Sequence, residues 1–396
     1  TVMKNMRTFH NHMDGIELSK IRLIGEKATR MAEEGRSIVK LQVGEPDFDT
    51  PKRVVDAAIA SLQNRETHYT SNRGTVELRR AISDKLWRDN GIKADPIKNI
   101  LVVSGCAEAL MCACLGLLDR GDEMIIVEPC FINYVQLAKI LGATPVIVHA
   151  DEANGWLPDP DDIRRAVTAK TKMILLCSPT NPTGAVYPKQ TLMEIASIAV
   201  ENDLIVVSDE VYEKLVYGAK NISIASLPEM EERTVTINGL SKAYAMTGWR
   251  VGYIAACEKL ILPMLKMHQY CTTCMPAFVQ AGAVEALSSC EAEVDAMQRV
   301  YEARRDLVFG LLKECEDLSV VAPGGTFYIY PNISRTGLDS ETFVMRLLEE
   351  HGVATVFGSA FDHTCGKDNI RISFASSEEN LREGIARLKK FMESLH

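Results

Sequence analysis

Residues 173–212 read MILLCSPTNPTGAVYPKQTLMEIASIAVENDLIVVSDEVY. Two short apolar runs, 173–177 and 204–208, enclose a longer helical pattern over 189–202. Nearly all-apolar runs of about five residues suit central strands covered on both faces. A strand, a helical crossover and a second strand predict a parallel pair. The alternation continues in both directions. Further β-branched runs lie at 100–104, 124–128, 145–149, 234–237 and 251–255, with helical patterns at 108–118, 133–141 and 160–166. Asp159 and Pro160 fit the start of the last of these, and Gly121 and Gly142 stand just past the ends of the other two. Seven strands interleaved with helices predict an α/β fold: a large domain with a mostly parallel seven-stranded sheet covered by helices. The remainder reads as a smaller α+β domain, with a helical stretch at 278–316, strands at 324–330 and 369–374, and a terminal helix at 377–394. The expected boundaries are 45–290 for the large domain, with 1–44 and 291–396 forming the small domain and an N-terminal arm.

Composition narrows the function classes. A chain of 396 residues with 46% hydrophobic and 24% charged residues is neither a disordered segment nor a disulfide-stapled miniprotein. The net charge of −9 and the lack of any run of five or six like charges argue against nucleic acid as a partner. The most apolar stretch, 101–118, is interrupted by Ser104, Gly105 and Glu108, so no membrane span is expected. The first fifteen residues lack the apolar core of a secretory signal, and a cytoplasmic location is the expectation. Eleven cysteines, spread through apolar segments, read as reduced buried thiols. Cys271 and Cys274 form one CxxC with no second pair or histidine pair at zinc-finger spacing, so no metal site is expected. Neither GxxxxGK[ST] nor GxGxxG follows a strand, which removes the nucleotide-binding reading.

In open α/β sheets ligands bind beyond the carboxyl ends of the strands. Four of the strand ends carry polar residues that packing does not explain. SPTNPTG after 173–177 places Asn181 between Pro179 and Pro182. Asp209 and Tyr212 follow 204–208. NGLSKAYAMTGWR follows 234–237 and contains Lys242 and Arg250. Gly105-Cys106-Ala107 after 100–104 opens a helix whose free N–H groups suit an anion. Each has a plain structural explanation by itself: a helix cap for Asp209, an Asx turn for Asn181, a solvated lysine for Lys242. Together they supply an amine, an acid, a phenol, an amide, an arginine and an anion-holding helix start. A pyridoxal 5'-phosphate site needs that set: the lysine forms the Schiff base, the acid keeps the ring nitrogen protonated, and helix N–H groups with an arginine hold the phosphate.

The stretch GLSKAYAMTGWRVG, residues 239–252, resembles the lysine-attachment signature of class I pyridoxal-phosphate-dependent aminotransferases. SPTNPTGAVY, SDEVY, LQVGEPDFDTP and IRISFA resemble other blocks of that family in the same order, and the likeness runs from about Leu41 to Ala375. It implies that Lys242 carries the cofactor and moves the proton, that Asp209 pairs with the ring nitrogen, and that Asn181 and Tyr212 bond the ring's phenolic oxygen. It implies further that Phe131 lies on the ring face and that Arg250, the N–H groups of Cys106 and Ala107, and Ser241 meet the phosphate. Tyr69 matches a tyrosine that reaches the neighbouring subunit's phosphate, which implies a homodimer. Arg371 matches the arginine that grips the substrate α-carboxylate, and Gly44 stands where a side chain would crowd that carboxylate.

The implied reaction is the ping-pong transfer of an amino group from an L-amino acid to a 2-oxo acid such as 2-oxoglutarate. Some aspartate-preferring relatives carry a lysine where this chain has Ala107. With Phe131, Tyr134 and several Met and Cys residues nearby in sequence, the expected donor is aromatic or large and apolar. Arg22 and Arg73 read as surface arginines. Phe357 stands where relatives often have proline. An aspartate-type aminotransferase, a β-lyase of the same fold and a non-catalytic regulator keeping the fold are the competing readings.

Overall fold

The computed structural model describes residues 12–395, so the first part of the expected N-terminal arm lies outside the described residues. Its centre is a seven-stranded sheet. In spatial order the strands are Ile100–Val103, Gly252–Ala255, Thr234–Gly239, Ile205–Asp209, Thr171–Cys177, Glu123–Glu128 and Thr144–His149. All neighbours are parallel except Gly252–Ala255, which runs antiparallel to both of its partners. That single reversal lets Arg250, just ahead of its strand, enter at the edge where the other strands end.

Period-two alternation distributes the side chains. Met173, Leu175 and Val207 join a cluster with Leu110 and Leu137 from the helices Gly105–Leu117 and Asn133–Leu141. Ile174, Leu176 and Val206 join a second cluster with Ile195 and Ile198 from the helix Lys189–Glu201. Helices thus cover both faces, as the all-apolar strands require. Burying each such side chain contributes about 1.5–3 kcal/mol.

A second core surrounds two smaller sheets. Val39–Lys40 pairs in parallel with Val353–Ala354, and Val356–Phe357, Ile370–Ser373 and Tyr328–Ile329 form an antiparallel sheet. The helices Glu291–Lys313, Ser340–His351 and Glu378–Glu393 contribute Leu312, Phe343 and Phe391 to the same core. Two expectations shift in detail. The helical stretch at 278–316 is two helices, Ala277–Ser289 and Glu291–Lys313, parted at Cys290. Of 324–330 only Tyr328–Ile329 is a strand, because Gly324 and Gly325 bond Gly184 rather than a neighbouring strand. Among the described residues no helix is long and apolar enough to cross a membrane.

Candidate active site

The carboxyl ends of the central strands open into a cleft of about 700 Å³. Lys242, Asp209, Tyr212, Asn181, Arg250, Phe131, Cys106, Ala107, Ser241, Arg371 and Gly44 all line it. Tyr69 does not: it is 89% exposed on the surface. Arg22 is exposed, as expected, and also borders the cleft with Ser19 and Ile21, ahead of and within the helix Lys20–Glu33. Arg73 lies elsewhere, donating to the Lys98 carbonyl at 3.2 Å.

Asp209 is the last residue of its strand and shares the face of Val207, which directs it to the helix Asn133–Leu141. There Tyr134 Oη donates to Asp209 Oδ2 at 2.8 Å, and the Val211 N–H donates to Oδ1 at 3.2 Å. Burial pushes the Asp209 carboxyl above the usual carboxylate range, against these two bonds and the charge of Lys242. A buried acid in that condition is stabilised as an anion by a cation set against it.

Lys242 lies in the turn after Thr234–Gly239, and its Nζ donates to the Gly44 carbonyl at 2.5 Å. The same Nζ lies 5.8 Å from the Tyr212 ring centre and 5.9 Å from that of Phe327. Tyr212 shares a hydrogen bond with Tyr328 at 3.1 Å. Its hydroxyl is held well above its ordinary pKa, by burial first and then by Tyr328.

Arg371 is 2% exposed on the strand Ile370–Ser373. Its Nη1 donates to Asn181 Oδ1 and its Nη2 to the Gln42 carbonyl, both at 3.0 Å. The guanidinium lies 4.2 Å from the Tyr328 ring centre and 4.9 Å from that of Phe361. Its Nε is buried without a partner. A buried cation with an orphaned donor at a cleft wall is fitted to an incoming carboxylate. A Cβ on Gly44 would stand 3.2 Å from Tyr328 Oη, which lines the same cleft. Its φ is not in the left-handed region, so it is no turn glycine.

The anion end is built from backbone and arginine. The helix Gly105–Leu117 starts with no side-chain cap from Ser104, leaving donors of its first turn open at the cleft. Burial holds the Cys106 thiol far above its ordinary pKa, so Cys106 brings an N–H rather than a thiolate. Gly105 has φ +75°, and a Cβ on it would lie 2.6 Å from Arg250 Nη2. Glycine is therefore what lets the guanidinium lie against the helix start. The one acid in that first turn, Glu108, has its bonds filled within the protein: one oxygen accepts the Ser104 N–H, and the other accepts from Thr272 Oγ1 at 2.6 Å and lies 2.8 Å from His268 Nδ1. Amine, buried acid, open helix start and arginine fit pyridoxal phosphate.

The sequence reading missed the Tyr134 bond to Asp209, the Tyr328 ring under Arg371 and the Gln42 carbonyl. Only Tyr134 left a signal, in the first turn of its helix three residues beyond Phe131 and edge-on to it at 5.9 Å.

Residues 36–388 match the family model described as aminotransferase class I and II. The chain belongs to that family. It is 42% identical over 385 residues to an aspartate aminotransferase of Pyrococcus abyssi, covering 96% of this chain and 97% of the relative. It is 41% identical over 365 residues to aromatic-amino-acid aminotransferase 2 of Thermococcus litoralis, covering 91% and 93%. The fold superposes on an aspartate aminotransferase from Thermus thermophilus with maleate at a TM-score of 0.93 and 37% identity, covering 97% and 100%. The protein is thus an aminotransferase, and its cofactor is pyridoxal phosphate.

Proposed function

We propose that this aminotransferase takes an aromatic or large apolar L-amino acid as donor and a 2-oxo acid such as 2-oxoglutarate as acceptor. The observation that carries the donor is the cleft wall: Ile21, Leu110, Phe131 and Tyr134 line it, and Ala107 stands at the helix entry. Pyridoxal phosphate, when bound, supplies an aldehyde carbon for imine exchange and a protonated ring that withdraws electrons. Asp209 holds the proton on the ring nitrogen. Asn181 and Tyr212 bond the ring oxygen, and Phe131 covers a ring face. Arg250, Ser241 and the N–H groups of Cys106 and Ala107 hold the phosphate.

Arg371, which lines the cleft, orients the substrate through its α-carboxylate. Lys242, freed of the cofactor, takes the proton from the substrate α-carbon and returns one there in the reverse half. Positioned general acid–base transfer of this kind supplies about 10²–10⁴-fold. Both half-reactions use one cleft, so an apolar side chain and a distal carboxylate must be met in turn. Arg22 supplies the positive charge for the latter. That residue, and the relatives named as aspartate aminotransferases, also favour the second reading, an aspartate-type enzyme.

We assign the cofactor site to the unit 45–290 and propose that Tyr69 completes a neighbour's phosphate site in a homodimer, which its 89% exposure permits. The eleven free cysteines favour the cytoplasm. Steady-state assays with single L-amino acids and 2-oxoglutarate test the substrate reading. Phenylalanine, tyrosine or leucine should exceed aspartate in kcat/KM, whereas aspartate in first place supports the second reading. Arg22→Ala should raise KM for 2-oxoglutarate about 3–10-fold and leave that for the donor unchanged. Release of pyruvate and ammonia from a thioether amino acid would make the protein a β-lyase.

A further inference from the structure

Away from the cleft, His149 comes together with two metal-ligating side chains more than 200 positions further along the chain, Asp362 and Cys365. His149 ends the strand Thr144–His149, and Asp362 and Cys365 lie on the loop after Gly358–Ala360. A ring nitrogen, a carboxylate oxygen and a sulfur, one from each, lie within 4.8 Å of one another. His149 Nδ1 stands 3.6 Å from Asp362 Oδ2, beyond a hydrogen bond. Two ligands at about 2.0–2.3 Å from a tetrahedral ion stand about 3.3–3.7 Å apart, so that spacing suits a shared ion.

The loop is built to aim the carboxylate. Asp362 is 2% exposed, and its Oδ1 accepts the N–H groups of Thr364 and Cys365, both at 2.8 Å. The turn that fixes Oδ1 leaves Oδ2 towards His149 and sets Cys365 beside it. Glu128, 1% exposed, adds a further buried carboxylate next to this loop, 2.9 Å from His363 Nδ1. His149 and Cys365 are exposed, so an ion has a path from solvent.

We propose that His149, Asp362 and Cys365 bind a zinc ion. One nitrogen, one oxygen and one sulfur ligand select zinc over magnesium or calcium, and water completes the tetrahedron. Binding ionises the thiol and releases its proton to solvent. The ion joins the edge strand of the large sheet to the loop that carries Phe361. The Phe361 ring packs against Arg371, and its carbonyl accepts the Cys130 N–H at 2.9 Å, next to Phe131. Zinc therefore ties the edge strand to a loop that packs against the cleft residue Arg371, outside the cleft itself. The sequence offered CxxC at Cys271 and Cys274 as the only motif of this kind, and the three ligands here share no spacing that would betray them.

The test titrates zinc chloride into reduced, metal-stripped holoenzyme against a chromophoric chelator. One equivalent should be held with Kd of about 1 μM or tighter, weakened at least about tenfold in both Cys365→Ser and His149→Ala and unmoved in Cys274→Ser. Both ligands are exposed, so the variants should keep the metal-free thermal midpoint, which checks that they fold. Zinc should also slow the reaction of Cys365 with a thiol reagent, read by mass spectrometry. Failure to bind one equivalent, or an affinity that follows Cys274 rather than Cys365 and His149, would overturn the proposal.

Discussion

Asp209 and Glu210 are consecutive buried acids at one strand end, and they face opposite ways. Asp209 shares the face of Val207 and opens on the cleft, with Tyr134 and the Val211 N–H as partners. Glu210 shares the face of Ser208 and Val206 and is enclosed by side chains: Ser208 and Ser223 donate to it, and Asn221 and Asn90 stand at 3.3 and 3.4 Å. Behind them Lys85, 2% exposed, is paired with Glu213 and bonded to Asn90 at 2.7 Å. The back pocket is a polar network in which, of the residues just named, only Asn221 leaves a buried oxygen without a partner, and it fastens the turn carrying Tyr212 to the helix Val76–Lys85. The cleft keeps donors and charge in reserve: an orphaned Arg371 Nε, an uncapped helix start and a raised carboxyl. Burial and pKa perturbation are common to both regions, so neither marks function; unmet bonding capacity at a concave surface does.

Substitution on the two sides of the strand should break the symmetry of this pair. Asp209→Asn keeps the shape and removes the charge that holds the ring proton, and kcat should fall about 10²–10³-fold. Glu210→Gln should leave kcat within about twofold, since Glu210 does not line the cleft. Equal losses from the two, measured as kcat on folded protein, would erase the distinction between cleft and back pocket.

A smaller effect sharpens the idea of reserve capacity. Arg371→Lys keeps the positive charge but loses the planar fork, so KM for amino and oxo acids should rise about 10–100-fold while kcat changes less. An unchanged KM for every substrate would place the carboxylate elsewhere.

The back pocket should appear in stability instead. The Glu210 carboxyl is pushed up from 4.5 to about 7, by burial and then by Glu213, against the Ser223 and Ser208 bonds and the Lys85 charge. A raised carboxyl binds its proton on folding. Its contribution is therefore full below its ordinary value and is lost as pH rises through about 7. Glutamine has no such titration. Urea unfolding at about pH 5 and about pH 8 should show wild type losing on the order of 1–3 kcal/mol more than Glu210→Gln across that interval.

What the sequence made legible follows from locality. Asp209, Lys242, Asn181 and Cys106 sit within a few residues of strands that announce themselves by apolar runs, so the strand-end rule reaches them directly. Arg371 lies on a short strand of the smaller sheets, and only its likeness to a family block pointed to it. Its bond to Asn181 spans 190 positions, a contact that periodicity does not encode. The parting at Cys290 was hidden because apolar residues continue on both sides of it. Glu210 was passed over beside Asp209, although period-two alternation from Val206 and Val207 already sends the two acids to opposite faces.

The central claim is that Lys242 carries the cofactor in the turn after the strand Thr234–Gly239. Borohydride reduction of the holoenzyme followed by peptide mass spectrometry tests it in one step, because reduction fixes the imine as a stable secondary amine. A pyridoxyl mass on the peptide containing Lys242, lost when an amino acid is added before reduction, is the predicted result. The same label on Lys85 or another lysine, with Lys242 unmodified, would contradict the account.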